Sequence, residues 1–148
     1  MYFIEEFQET YNADMIQFLQ ECLPQSGRKL ELDGRHKMYQ DIKHYFQYFW
    51  CMFAGEKIIG TVALKRLQDK ECELKSLYLL EEYHGRGLGD MLLQKAISQA
   101  KTDGYRIMRL DTLSSSKRAI SLYKKAGFTE TERYNENNVA DVFMKLFL

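Results

Sequence analysis

The sequence lacks an excess of charge of either sign, because its 21 lysine and arginine residues balance its 21 aspartate and glutamate residues. Proteins that bind nucleic acids usually carry a basic excess that neutralises phosphates, so nucleic acid is not an expected partner. The chain also lacks an apolar run long enough to span a bilayer. Residues 1–6 contain no basic segment followed by an apolar stretch, as a signal peptide would. These absences predict a cytoplasmic protein that does not act at a membrane.

Cysteine and histidine are also scarce, with three residues of each type. Cys22, Cys51 and Cys72 are odd in number, lie far apart and lack the spacing of metal ligands. We therefore expect reduced, mostly buried thiols rather than disulfides. The histidines form neither a metal-ligand pattern nor a catalytic triad, so no metal is expected.

The residues that are present predict one α+β domain over residues 1–148. Hydrophobic residues make up 45% of the chain and charged residues 28%, a balance suited to a core inside a solvated surface. Apolar spacing and turn residues predict the order β-α-α-β-β-β-α-β-α-β-β, with Ser114-Ser-Ser116 capping the last helix. The predicted strands cover residues 2–7, 50–53, 57–67, 71–80, 105–111, 128–134 and 139–146, and the predicted helices cover residues 10–23, 35–48, 88–104 and 116–126.

Short links set the sheet topology in this prediction. Residues 54–56 and 68–70 are rich in turn formers and join consecutive strands, which makes three strands antiparallel neighbours. Residues 71–111 instead form a strand–helix–strand pattern, a crossover that joins parallel neighbours. The expected sheet is mixed and mostly antiparallel, with a central parallel pair and flanking helices.

A glycine-rich loop, His84-Gly-Arg-Gly-Leu-Gly89, lies between a predicted strand and the N-terminus of a predicted helix. Its glycines let the backbone approach a ligand, and the first amides of the helix favour a pyrophosphate. Arg86 can add a charge-assisted contact. No Lys-Ser or Lys-Thr follows, so this is not a Walker A loop, and the third glycine comes too early for a dinucleotide fingerprint. A coenzyme A site and a connector without a ligand both fit.

Three motifs follow one another along the chain: Glu73-Leu-Lys-Ser-Leu-Tyr-Leu79, Glu81-Glu-Tyr-His-Gly-Arg-Gly-Leu-Gly89 and Ala119-Ile-Ser-Leu-Tyr-Lys-Lys-Ala-Gly-Phe128. Together they resemble the GNAT superfamily of N-acetyltransferases over the C-terminal two-thirds of the chain, from Trp50 onward. The resemblance implies the acyl-CoA N-acyltransferase fold of that superfamily, with which the predicted strand order agrees. It also implies acetyl-CoA as the co-substrate.

The resemblance assigns roles to the residues of the cofactor site. Leu77, Tyr78 and Leu79 would offer backbone groups to the pantetheine arm and the thioester carbonyl, in a gap where the parallel strands part. The family often has Gln or Arg in place of His84, and Asn in place of Ser116, whose hydroxyl can keep one hydrogen bond. The amides of six loop residues would wrap the pyrophosphate: His84, Gly85, Arg86, Gly87, Leu88 and Gly89.

The resemblance also implies a catalytic acid, Tyr123, which would protonate the departing thiolate. Packing on an amphipathic helix is the other interpretation of this tyrosine. A free alkyl amine, with a pKa of about 10, must lose a proton before it attacks, so a proton acceptor is needed. Glu73 and Asp111 are the candidate bases. A water chain, or a purely structural role for each carboxylate, stays open.

The acceptor side is less defined by the sequence. The segment from Pro24 to Phe49 is expected to set specificity. Four tyrosines are candidates for the pocket wall, with burial in the core as the alternative: Tyr39, Tyr45, Tyr48 and Tyr134.

The predicted activity is direct transfer of an acetyl group from acetyl-CoA to a primary amine, in a ternary complex. The neutral net charge favours a small-molecule or amino-acid-like acceptor, and a protein N-terminus remains an alternative. A catalytically inactive acyl-CoA-binding sensor or interaction domain of the same fold is the competing hypothesis. Dimers are common in the resembling family, so a homodimer is a further expectation.

Overall fold

The chain forms seven strands and four α-helices, and the computed structural model describes all 148 of its residues. The strands are β1 (Tyr2–Glu6), β2 (Tyr48–Ala54), β3 (Lys57–Gln68), β4 (Glu71–Leu79), β5 (Ile107–Thr112), β6 (Thr129–Glu130) and β7 (Val142–Phe147). The helices are α1 (Asn12–Gln25), α2 (Ile42–Tyr45), α3 (Leu88–Thr102) and α4 (Lys117–Ala126). All strands join one sheet in the order β1-β2-β3-β4-β5-β7-β6.

The predicted mixed α+β sheet is confirmed. β2, β3 and β4 follow one another as antiparallel neighbours through links of two residues, and β1 adds an antiparallel edge. α3 carries the chain across to β5, which pairs with β4 in parallel. β7 is antiparallel to both β5 and β6. The parallel pair therefore lies inside the sheet, where two antiparallel regions meet.

The core lies on both faces of the central strands. Because side chains alternate along a strand, Tyr48 and Trp50 face α3 while Phe49 faces Tyr39 on the opposite side. No helix of the chain combines the length and the apolar character needed to cross a membrane. Two helices cover the sheet with fully buried side chains: Met15, Leu19 and Leu23 of α1, and Leu92, Leu93, Ala96 and Ala100 of α3.

The three cysteines are free and buried, as predicted. Burial raises the pKa of Cys22, Cys51 and Cys72 to about 12. A thiol with such a pKa stays protonated near neutral pH, and only the thiolate is a good nucleophile. These side chains therefore act as small apolar residues of the core.

The predicted helix over residues 35–48 is wrong. The segment forms a turn of 3-10 helix at Lys37–Gln40 and the four-residue helix α2, and β2 already begins at Tyr48. The apolar spacing there suits a helix, but pairing of Tyr48 and Phe49 with β3 gains ladder hydrogen bonds and buries aromatic rings. Tertiary packing thus outweighs the local pattern.

Other predicted boundaries also differ from the structure. Pro24 does not stop α1 but lies within its last turn, which ends at Gln25. The predicted strand over residues 128–134 shrinks to the two residues of β6, and the strand predicted from residue 139 begins only at Val142. Between them, the side chains of Tyr134 and Asn135 bond to carboxylates on β4 and β5.

β4 contains a bulge between its two halves. Thr61 of β3 pairs with Tyr78, but Ala63 pairs with Lys75, so two steps along β3 match three along β4. Ser76 lies within the extra step and has a φ of +54°, in the left-handed region. Since a bulge bends and twists its strand, it redirects β4 beyond this point.

Candidate active site

A gap opens between the parallel strands. Beyond their paired stretch, β4 continues along β3 to Leu79, and β5 continues along β7 to Thr112. The facing edges of the two strands form no further ladder, so their backbone groups are available to a ligand. The gap expected beside residues 77–79 is therefore present. Three residue pairs hold the closed end together: Glu71 with Ile107, Cys72 with Met108, and Glu73 with Arg109.

The glycine loop leads from the open end of this gap into α3. Gly85 and Gly87 have φ angles of +80° and +77°, which residues with a Cβ rarely adopt. The amide of Met91 donates to the carbonyl of Gly87 at the start of the helix. The amides of residues 88–90 precede that bond and have no partner within the helix. Together with the helix dipole, they form a geometry that suits an anionic group.

Two loop side chains are bound to the protein itself. His84 Nε2 lies 3.1 Å from the carbonyl oxygen of Leu79, which ties the loop to the end of β4. Arg86 donates to the hydroxyl of Tyr2 at 2.6 Å and to the carbonyl of Glu82 at 3.3 Å. Its guanidinium therefore lies against β1 rather than at the loop mouth. The backbone amide is the group that Arg86 can offer to a diphosphate in this conformation.

Tyr123 lies on the inner face of α4, where it is 6% exposed. Its hydroxyl forms no hydrogen bond within the protein, yet it is not a buried unsatisfied group, so it reaches an accessible space. Burial is the main cause that raises the pKa of Tyr123, and Tyr78 adds to the rise, whereas Arg28 opposes it. The phenol is therefore protonated at physiological pH, as a proton donor must be.

Ser116 precedes α4, but its side chain does not cap the helix as predicted. Its hydroxyl instead accepts a 3.4 Å hydrogen bond from Arg28, which reaches over from the loop after α1. Ser114 makes the stronger contacts here, since its amide and its hydroxyl each donate to Asp141 at 2.7 Å. The start of α4 is thus fastened both to the acceptor segment and to the end of the chain.

The two candidate bases, Glu73 and Asp111, belong to one hydrogen-bonded cluster. Asn135 donates from one amide nitrogen to Asp111 at 2.6 Å and to Glu73 at 3.2 Å. Asn137 donates to the other oxygen of Asp111 at 3.2 Å, and the hydroxyl of Tyr134 donates to Glu73 at 2.5 Å. We call these five residues the carboxylate cluster. It lies where the paired stretch of β4 and β5 ends, at the base of the gap.

The charges of the carboxylate cluster affect its neighbours. Lys75 Nζ lies 3.6 Å from Glu73. Burial would lower the pKa of Lys75, but the carboxylates of Glu73 and Asp111 outweigh that effect and raise it. Burial and then the charge of Glu73 raise the pKa of Tyr134. Lys75 is therefore cationic and Tyr134 a neutral donor, and both contact the side chain of Glu73.

The structure separates the four tyrosines proposed for the acceptor pocket. Tyr134 belongs to the carboxylate cluster, and Tyr45 lies on the same face of the sheet, under the ammonium of Lys65 at 4.4 Å. Tyr39 is 3% exposed and bonds to β4, so it is a core residue. Tyr48 does not line this pocket, because it lies on the α3 face and donates to Asp103.

A groove of about 420 Å³ adjoins the carboxylate cluster on the closed side of the gap. Arg109 in its wall forms a 2.7 Å ion pair with Glu71 and thereby lowers the pKa of that carboxyl group. No residue of the glycine loop borders the groove, so it is separate from the proposed diphosphate position. The lining residues are Leu67, Gln68, Glu71, Arg109, Thr131, Glu132, Arg133 and Tyr134.

Sequence reasoning missed Arg28, Asn135 and Asn137. The asparagines lie between the predicted strands over residues 128–134 and 139–146, and Arg28 lies between the first two predicted helices. The available signal was weak: asparagine is common in turns for local reasons, and nothing in its spacing indicates a partner on a distant strand. Only the folded chain brings these side chains to Ser116, Glu73 and Asp111.

Comparison with known proteins identifies a family to which the chain is similar. The family model described as the acetyltransferase (GNAT) family matches residues 6–128, which is most of the chain. An uncharacterised N-acetyltransferase of Dictyostelium discoideum is 41% identical over 81 residues. That alignment covers 53% of this chain, and the chain spans only 38% of the length of that relative.

Solved structures match over nearly the whole chain. An acetyltransferase of the GNAT family from Staphylococcus aureus Mu50 superimposes with a TM-score of 0.89 at 23% identity, covering 98% of each chain. The PaiA N-acetyltransferase of Thermoplasma acidophilum, solved in complex with coenzyme A, gives a TM-score of 0.81 at 21% identity. It covers 100% of this chain and 99% of its own. At such identities the likeness establishes the shared fold.

Proposed function

The chain belongs to the GNAT family of acetyltransferases, and we propose that it transfers an acetyl group from acetyl-CoA to a primary amine. The observation that carries the proposal is the gap between β4 and β5, with the glycine loop at its open end and the carboxylate cluster at its base. Tyr123 lies near both strands, since in addition to burial the neighbouring Tyr78 and Asp111 raise its pKa. Each part suits one portion of the reaction: the diphosphate, the leaving sulfur and the incoming amine.

The co-substrate fits the open part of the gap. The free amides of residues 88–90 and the left-handed Gly85 and Gly87 suit a diphosphate, which the proposal assigns to residues 84–89. On the side away from β3, the backbone of residues 77–79 has no partner strand, which suits the amide groups of an extended pantetheine arm. Ser116, held by Arg28 at the start of α4, is a further candidate contact.

The proposed chemistry is direct transfer in a ternary complex. The neutral amine attacks the thioester carbonyl carbon, the carbon–sulfur bond breaks, and the thiolate takes the proton of Tyr123. The amine gives up its proton, directly or through water, to Glu73 or Asp111. Tyr134 and Asn135 donate to Glu73, and Lys75 lies 3.6 Å from it, so these contacts hold the carboxylate at the base of the gap.

The acceptor is proposed to be a small or amino-acid-like primary amine. It would bind on the face that holds the carboxylate cluster, where the ionised side chains of Glu73 and Asp111 attract an ammonium group. Lys65 and Lys75 on the same face can attract a carboxylate of the acceptor. The adjoining groove is large enough for a compact molecule.

Release of free coenzyme A tests the proposal. The protein is incubated with acetyl-CoA and a panel of primary amines and amino acids, and the thiol product is measured. We expect at least one amine to accelerate thiol release. Calorimetric binding of coenzyme A without any acceleration would instead favour an acyl-CoA-binding domain without turnover. No binding at all would refute the proposed cofactor.

A further inference from the structure

The backbone of Ser76 adopts a conformation that a serine rarely takes. Its φ of +54° lies in the left-handed region, where the Cβ of an L-residue meets the following carbonyl. Glycine is the residue usually found at such positions. A serine stays in this conformation only when its surroundings hold it there.

Two buried side chains, each from a different element, bond to Ser76. The hydroxyl of Thr61, on the neighbouring strand β3, donates to the Ser76 carbonyl at 2.7 Å. The hydroxyls of Tyr39 and Ser76 form a 2.6 Å hydrogen bond. Thr61 is 0% exposed and Tyr39 is 3% exposed, so water does not compete for either bond.

Tyr39 itself is held in place by a cluster of aromatic rings. It stacks on His36 and on Phe46, with ring centroids 6.0 Å and 6.1 Å away, and meets the edge of Phe49 at 6.3 Å. The hydroxyl therefore has a fixed position relative to β4. The acceptor segment, to which Tyr39 belongs, is thereby joined to the strand that borders the gap.

Ser76 lies just beyond the point where β4 and β5 stop pairing, so its contact with Tyr39 affects the edge of the gap. β4 and β5 last pair at Glu73 and Arg109, and Ser76 follows three positions later at the bulge. The conformation of the bulge sets the direction of residues 77–79, which form one edge of the gap. A change of φ at Ser76 would rotate the backbone groups on that edge.

We propose that Tyr39 is a positioning residue, which holds Ser76 in its left-handed conformation and so keeps the gap shaped for the extended arm of an acyl-CoA. The inference rests on the proposed function, because it assigns the gap to that arm. Tyr39 acts through Ser76 and is not a contact of the ligand.

The first test replaces Tyr39 by Phe, which removes the hydroxyl and keeps the ring. We expect the Kd for coenzyme A, measured by isothermal titration calorimetry, to rise roughly three- to tenfold, as the loss of one buried hydrogen bond predicts. Tyr105→Phe is the matched control. It removes another buried tyrosine hydroxyl, bonded to Gln47 at the closed end of the parallel pair, and should leave the Kd unchanged.

The second test compares Ser76→Ala with Ser76→Gly. Both variants lose the bond to Tyr39, but only alanine keeps the Cβ that disfavours a positive φ. We expect the alanine variant to bind coenzyme A more weakly than the glycine variant, and Ser76→Gly to restore tight binding in the Tyr39→Phe background. A purely structural role of Tyr39 predicts no such rescue. If Tyr39→Phe does not fold, the comparison of Ser76→Ala with Ser76→Gly in the otherwise wild-type protein still tests the proposal.

The outcomes separate the two levels of the proposal. If the wild-type protein does not bind coenzyme A, the proposed function itself is wrong. If the wild type binds and Tyr39→Phe binds equally well, or if the alanine and glycine variants of Ser76 have the same Kd, the role of Tyr39 is refuted while the function stands.

Discussion

Asn135 donates a 2.6 Å hydrogen bond from its side-chain amide to the carboxylate of Asp111. The same nitrogen lies 3.2 Å from Glu73 Oε2, so a single amide joins the carboxylates of two strands. The connection between β6 and β7, which has little regular structure, thereby helps to fix the positions of both candidate bases.

Replacing Asn135 by Ala should impair catalysis without affecting the co-substrate. Loss of the shared donor should leave both carboxylates less firmly positioned for the incoming amine. We expect kcat/KM near neutral pH to fall about tenfold, the effect of a hydrogen bond to a charged group. The Kd for coenzyme A should not change.

Asn138→Ala is the matched control for that experiment. Asn138 lies in the same connection but is exposed, and its side chain does not bond to Glu73 or Asp111. Its replacement should leave kcat/KM as it is. An unaltered kcat/KM in the Asn135 variant would show that the amide of Asn135 positions no group on which the rate depends.

Replacing Tyr123 by Phe should lower kcat by about 10²-fold or more, as expected for loss of a general acid. The ring, which packs at 5.7 Å from Phe128, is retained, so the melting temperature should change little. Steady-state kinetics with saturating acetyl-CoA measure the effect. Full turnover in this variant would show that Tyr123 only packs against its neighbours and is not the general acid.

The acid role of Tyr123 also predicts the alkaline side of the pH profile. Because burial raises the pKa of Tyr123 above its ordinary value, the phenol keeps its proton at a pH where an exposed tyrosine has begun to lose it. Turnover should therefore not decline from this cause up to pH of about 10. A fall in kcat that begins well below that pH, and disappears in the Phe variant, would contradict the assignment.

Gly87→Ala should weaken coenzyme A binding, whereas Gly27→Ala should not. Both glycines have a φ of +77° and no neighbouring atom within 4 Å of an added Cβ, so both substitutions strain the backbone equally. Each should lower the free energy of unfolding by about 1–2 kcal/mol. Only Gly87 belongs to the loop that faces the proposed diphosphate. Denaturant titration and calorimetry on both variants separate the two effects, and equal changes in Kd would refute the loop assignment.

The three cysteines should not react with thiol reagents in the native state. Burial raises the pKa of each thiol to about 12, so the thiolate fraction at pH 8 is very small. A dithiobis-nitrobenzoate titration should detect no protein thiol before unfolding and all three after it. Rapid reaction of a native thiol would mean that the core around it opens.

The strand order is predictable because long strands separated by two-residue links leave few alternatives. The crossover through α3 follows from similar reasoning, since a parallel pair needs a long connection and a helix between two strands can supply it. The glycine loop and Tyr123 are recognisable because their spacing within short motifs is itself a local signal. These features depend on neighbours in the sequence.

The remaining features depend on distant residues. α2 cannot be predicted from its apolar spacing, because the stacking of Tyr39 with Phe46 and Phe49 determines where that segment turns. The carboxylate cluster joins Tyr134 to Glu73 across 61 positions of the chain, and no periodicity encodes such a contact. Likewise, the left-handed Ser76 has no local cause, since its two partners lie on other elements.

Because the ladder between β4 and β5 has only three residue pairs, the sheet consists of two parts with a short connection. One part contains β1 to β4, and the other contains β5, β7 and β6. A ligand that binds between these strands and forms hydrogen bonds to both would replace the ladder that the polypeptide lacks there. Such a ligand would take the place of a missing strand, and its binding should make the two parts of the sheet move as one rigid body.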